Sequence, residues 1–203
     1  MSRFGEYRDL NVELLDDYVA VAEIQRPPNN FFDEVLINSI GDAFEALDAD
    51  DRCRAIVLAA AGKNFCAGAD FSGGPREGSS NTNAGELYRQ AVRLFRTRKP
   101  VIGAIQGAAI GGGLGLALVP DFRVACEESR FSANFSRLGF HPGFGLTVTL
   151  PAKIQDRLRY PPERIEEIRR LAAEHTDWER YCSQRLVLRT PALPGRVRQL
   201  RRP

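Results

Sequence analysis

With 203 residues, 43% hydrophobic and 27% charged, the chain has the make-up of an ordinary globular protein with room for one sizeable core. A net charge of +2 gives no global reason to expect nucleic acid or a membrane surface as partner. The longest apolar run, residues 101–119, is broken by six glycines and a glutamine and fits a soluble core better than a bilayer span. Cys53, Cys66, Cys126 and Cys182 have no short metal-type spacing, and no signal peptide is read ahead of them. They are therefore expected to be buried, reduced thiols in a cytoplasmic protein, with no metal site.

In chain order, residues 18–24 alternate with a period of two, the signature of a strand, and Arg26-Pro27-Pro28-Asn29-Asn30 stops it. Between residues 32 and 47, Val35, Leu36, Ile40, Ala43, Phe44 and Leu47 recur at helical spacing, with Asp33 placed as the cap. Residues 55–60 form a short continuous apolar run, as in a strand buried on both faces. A loop rich in Gly, Ser and Asn (72–83) precedes a helix over 84–98, with Leu87, Ala91, Val92 and Phe95 on one face. Pro100 opens a second buried strand over 101–105. A glycine-dense turn, a helix over 114–118 and a strand over 122–126 follow. Strands alternating with helices in this way predict an α/β fold with crossover connections.

Two segments carry the chemistry, residues 65–70 (Phe-Cys-Ala-Gly-Ala-Asp) and 106–115 (Gln-Gly-Ala-Ala-Ile-Gly-Gly-Gly-Leu-Gly). In each, a buried strand leads through glycines to a helix start, where the backbone can approach a ligand and present unpaired N–H groups. Taken singly, tight turns and close helix packing account for either one. A phosphate cradle is disfavoured, because no G-x-x-x-x-G-K-[ST] occurs and the Gly111-x-Gly113 run meets Leu116 where a dinucleotide fingerprint wants glycine.

Together, about forty residues apart and followed by Asp121-Phe-Arg-Val-Ala, the pair resembles the crotonase (enoyl-CoA hydratase/isomerase) family. The resemblance spans roughly residues 19–151. It also rests on Arg26-Pro27, residues 50–58, 99–107 and 130–139, and the closing run 142–151. It implies a spiral of ββα turns of the ClpP/crotonase type over residues 1–151, enclosing two roughly perpendicular sheets and assembled as trimers or paired trimers. It implies an acyl-CoA substrate, with coenzyme A present only as part of that substrate and no separate cofactor. The Ala69 and Gly112 N–H groups would form an oxyanion hole for the thioester oxygen. Such donors aimed at developing charge are each worth about 3–4 kcal/mol. Arg26, Pro27, Asn29, Ala67, Gly68 and Asp70 would line the coenzyme A groove, and Gly111 and Phe135 would also touch substrate.

Hydratases of this family use two glutamates, and the matching positions here are Gly115 and Phe135. Isomerases and dehalogenases carry an Asp where this chain has Gly143. General acid–base help is worth about 10²–10⁴ in rate, so standard hydration is expected to be weak or absent. His141 is the one imidazole in the matched region and is the candidate for proton transfer. Asp70 is expected to orient its loop, Asp121 to bond backbone and Cys66 to pack. Isomerisation through another base, thioester hydrolysis, decarboxylation and binding without turnover all stay open, the last as a non-catalytic acyl-CoA binder or oligomer scaffold.

Residues 152–203 do not follow the family pattern. An amphipathic helix is expected over 163–174 with Ile165, Ile168 and Leu171 on one face, followed by an Arg- and Pro-rich stretch without apolar period. Its seven arginines from Arg180 onward read as a solvated charge run rather than a nucleic-acid arm.

Overall fold

A computed structural model describes residues 2–69, 84–139 and 141–156. Expectations for Asp70, the 72–83 loop and everything after residue 156 lie outside the described residues.

Six strands form the main sheet. β1 (Ser2–Arg3), β2 (Leu10–Leu14) and β3 (Val19–Ile24) are antiparallel neighbours. From β3 the sheet continues parallel through β4 (Ala55–Ala60), β5 (Val101–Ile105) and β7 (Phe122–Ala125). Order in space follows order in sequence, so the chain advances one strand per turn. The helices are α1 (Glu34–Ala49), α2 (Ala84–Leu94), α3 (Gly112–Ala117) and α4 (Leu146–Asp156).

A second ladder runs through the same turns. β6 (Ala108–Ile110) pairs parallel with β8 (Arg130–Ser132). Single parallel bridges join Cys66 to Ala109 and Phe32 to Ala69. Each turn thus has a long strand, a short extended segment and a helix: β3, Phe32, α1; β4, residues 66–69, α2; β5, β6, α3. β7 and β8 lead instead into a 3-10 helix, Asn134–Leu138. This is the α/β spiral of ββα turns that the resemblance implies.

α1 forms where apolar spacing and capping agree. The Asp33 carboxylate accepts the Leu36 N–H at 3.0 Å, and Leu36, Ile37, Ile40, Phe44 and Leu47 are buried. At its other end the Lys99 ammonium donates to the carbonyls of Leu47 and Asp50, satisfying oxygens the helix leaves open. Arg93 of α2 reaches across to Asp42 at 2.5 Å and Glu45 at 2.8 Å, joining the two helices.

Several expectations need correction. The helix predicted over 84–98 stops at Leu94, so its buried stripe is Ala91 and Leu94 with Leu87 beside them, while Val92 and Phe95 are exposed. The predicted 106–115 turn contains strand β6, and α3 starts at Gly112 instead of Leu114. Val35 is half-buried, and Ile37 takes its place in the core. Cys53, Cys66 and Cys126 are free, buried thiols, and Asp121 accepts the Val101 N–H at 2.9 Å, both as expected.

Asn30 closes the turn that directs the chain from β3 toward Phe32. It is fully buried at φ +48°; its amide donates to the carbonyls of Ala61 (2.8 Å) and Asn64 (2.6 Å) and accepts the Arg26 N–H (2.9 Å). Asn30→Ala leaves those three backbone groups without their partner and is expected to cost about 2–4 kcal/mol in urea unfolding. Asn30→Asp, which cannot donate to the two carbonyls, is expected to cost at least as much.

Candidate active site

The two glycine segments meet. The Cys66 N–H donates to the Ala108 carbonyl at 2.9 Å, and the Cys66 carbonyl accepts the Ile110 N–H at 3.0 Å. The Phe65 N–H bonds the Gln106 carbonyl at 2.8 Å. Gln106 itself is buried, and its side-chain amide donates to the carbonyls of Ala60 and Gly62. The contact leaves no room for a side chain at two points. A Cβ on Gly113 would lie 2.0 Å from the Cys66 carbonyl oxygen, and one on Gly68, at φ +107°, would lie 3.0 Å from the Ile110 oxygen.

Ala69 and Gly112 flank this contact. Both are half-buried, whereas Gly68 and Gly111 beside them are buried. Neither the Ala69 nor the Gly112 N–H is hydrogen-bonded to another described residue. The Phe32 N–H bonds the Gly68 carbonyl at 3.0 Å, and the Ala67 N–H bonds the Asn29 carbonyl at 2.9 Å, so the strand beside Ala69 is held from the Phe32 side.

The other predicted residues fall into two groups. Arg26 is held in place by the protein: its guanidinium meets Asp9 at 2.6 Å and Asp33 at 2.8 Å and donates to the Phe31 carbonyl, with its side chain 10% exposed. Pro27 is exposed in a cis peptide with Pro28. Asn29 is half-buried and accepts from the Asn64 side chain at 3.1 Å. Phe135 reaches the glycines, its ring 3.9 Å from a Cβ position on Gly111 and 3.5 Å from one on Gly143. His141 is exposed.

Aromatic side chains fill the space beside Gly115 and Gly143. A Cβ on Gly115 would meet the Cβ of Phe144 at 2.5 Å. Phe144 is 2% exposed, has φ +53°, and packs edge-on against Phe32 with ring centroids 5.4 Å apart. The Phe32 ring covers Gly112, 2.5 Å from a Cβ position there. At Gly143 the space for a side chain is taken by the Tyr88 hydroxyl from α2, 2.5 Å away. Neither Phe144 nor Tyr88 is marked as a site residue by any sequence motif; tertiary packing alone brings them in.

Cys66 lies beside the contact but is unsuited to nucleophilic attack. Burial pushes its thiol up to about 12, opposed only weakly by bonds to the Gly68 and Phe32 backbone. An apolar groove of about 360 Å³ is lined by Leu114, Ala117, Leu118, Phe131, Ala133 and Leu150 with Arg123, and Phe135 packs in the same cluster as Leu114, Leu118 and Leu150.

A family profile described as enoyl-CoA hydratase/isomerase matches residues 16–159. The chain belongs to the enoyl-CoA hydratase/isomerase family. It is 32% identical over 142 residues to a probable enoyl-CoA hydratase of Bacillus subtilis, covering 68% of this chain and 54% of that protein. The bacillaene synthase decarboxylase PksI of the same organism is 31% identical over 148 residues, covering 70% and 58%. Among solved structures, an enoyl-CoA hydratase subunit of Geobacillus kaustophilus superposes with a TM-score of 0.63 at 31% identity, covering 72% of this chain and 57% of that one. The chain spans about half the length of the curated relatives it matches.

Two outcomes follow. Cys66 should resist iodoacetamide at pH 8 in the folded protein and label only on unfolding, read by peptide mass mapping. Because the folded state keeps a proton that the unfolded thiol releases above its ordinary value of 9.0, this group lowers stability as pH rises from there toward about 12. Gly115→Ala should lower stability by about 1–3 kcal/mol in thermal unfolding, through overpacking against Phe144.

Proposed function

We propose that this chain binds an acyl-CoA thioester and stabilises its enolate between the Ala69 and Gly112 N–H groups, without the glutamate pair of the hydratases. The observation that carries this reading is the pair of main-chain donors, bonded to no other described residue, that flank one tight backbone contact. Donors fixed in the main chain need no reorganisation as charge develops on the thioester oxygen, which is why they stabilise a transition state more than a ground state. Phe144 against Gly115, Phe135 in place of the second acid and Tyr88 against Gly143 support the absence of carboxylate chemistry here. A relative named as a decarboxylase at 31% identity supports chemistry other than hydration in this family. Assembly as trimers or paired trimers and a cytoplasmic location belong to the same proposal. Among the described residues no helix is long and apolar enough to cross a membrane.

Titration calorimetry is expected to show tighter binding of acetyl- and crotonyl-CoA than of free CoA. Crotonyl-CoA hydration should fall at least about 10²–10⁴ below that of a relative carrying both glutamates. Efficient hydration that survives substitution of His141 and Asp70 would sink this account of the site. Thioester binding with no turnover of any thioester would make the chain a binder and not an enzyme.

A further inference from the structure

Backbone bonds hold the two glycine segments side by side. The Phe65 N–H reaches the Gln106 carbonyl, the Cys66 N–H the Ala108 carbonyl, and the Ile110 N–H the Cys66 carbonyl. Regular parallel pairing would next bond the Ala108 N–H to the carbonyl of Asn64. That carbonyl accepts the Asn30 side-chain amide instead, at 2.6 Å. The Asn64 side chain supplies the rung, its Oδ1 accepting the Ala108 N–H at 3.0 Å. The chains run so close there that a Cβ on Gly107 would lie 2.8 Å from the same oxygen.

The other end of the Asn64 amide turns toward the first ββα unit. Its Nδ2 donates to the Asn29 Oδ1 at 3.1 Å, and the Asn29 carbonyl accepts the Ala67 N–H at 2.9 Å. One route from this half-buried side chain therefore ends at Ala67, two residues before Ala69. The other ends at Ala108, four residues before Gly112.

We propose that Asn64 is a positioning residue, whose amide sets the separation of the Ala69 and Gly112 N–H groups by standing in for a rung of the ladder between them. This rests on the reading of those two groups as the oxyanion hole. Two donors stabilise one oxygen only where both reach it, because hydrogen bonds weaken steeply with distance and angle. The donors belong to segments about forty residues apart, so no covalent link fixes the gap, and the rungs do. An amide suits the task because it accepts at one atom and donates at the other, so the bond to Asn29 aims the oxygen that holds Ala108.

The test uses the full chain with acetyl-CoA and with S-ethyl-CoA, a thioether that lacks only the carbonyl oxygen. Titration calorimetry gives the preference between them, and infrared difference spectra of ¹³C-labelled acetyl-CoA give the bound carbonyl stretch. The unsubstituted protein is expected to prefer acetyl-CoA and to lower that stretch below its solution value. Asn64→Ala should cut the preference about tenfold, the worth of one hydrogen bond, and return the stretch toward solution. Asn64→Asp keeps an acceptor for Ala108 but loses the donor to Asn29. It should hold the preference and the stretch near those of the unsubstituted protein, although it too loses stability in urea. A merely structural role would lower stability in both variants without moving the stretch in either, and that result overturns the proposal. Equal loss of the preference in both variants overturns it as well. Should Asn64→Ala fail to fold, Asn64→Asp decides alone: a stretch back at its solution value overturns the assignment, and a retained shift supports it. Equal binding of the two ligands by the unsubstituted protein overturns the oxyanion reading itself, before any variant is made.

Discussion

Two backbone hydrogen bonds to a single residue, Cys66, hold the glycine turns of the second and third ββα units together. They join β6 to residues 66–69 and so continue the small second ladder from β8 back to Phe32. The main sheet positions the ends of β4 and β5 side by side, and this contact, with the bonds of Phe65, Gln106 and Asn64, joins the segments that follow them. Its closeness, 2.0 Å from a Gly113 Cβ position to the Cys66 oxygen, excludes any side chain at Gly113. Ala69 and Gly112 lie on either side of it, one in each glycine segment.

The ion pairs serve the same end from outside. Arg26 is fastened to Asp9 and Asp33, and through the Phe31 carbonyl to the approach to Phe32, so its charge supports the first turn of the spiral. Asn30 and Asn64 tie that turn to the ends of β4 and β6: Asn64 accepts the Ala108 N–H at 3.0 Å, and Asn30 donates to the Asn64 carbonyl. These amides, Asn30 buried and Asn64 half-buried, satisfy backbone groups that the irregular chain leaves outside either ladder. Residues that read as groove-lining in the sequence are, in the fold, also the frame on which the main-chain donors are held.

Much of this was legible in sequence because burial leaves a pattern. β3, β4 and β5 stand out as apolar runs, and α1 announces both its stripe and its Asp33 cap. β2 went unread, although Leu10, Val12 and Leu14 alternate with Asn11 and Glu13. β6 and β8 are three residues each, too short for periodicity, and β8 is exposed along its length. α4 hides behind β-branched Thr147, Val148 and Thr149 and an internal Pro151, all weak helix formers. At the site, the glycine pair could be read directly. Tyr88 and Phe144 could not, because nothing local marks a tyrosine on an amphipathic helix, or a phenylalanine between two glycines, as a neighbour of Gly143 or Gly115.

Main-chain donors and side-chain acids respond differently to sequence change. The N–H groups of Ala69 and Gly112 persist under any substitution that keeps the backbone path, whereas an acid disappears with one residue. A glutamate at residue 115 would drive its Cβ into the Cβ of Phe144, and Phe144 is fixed in turn by the Phe32 ring that covers Gly112. Because dense packing transmits such a clash instead of absorbing it, a side chain at residue 115 requires a change at Phe144 as well. The aromatic packing beside Gly112 and Gly115 thus restricts which side chains these two positions can hold.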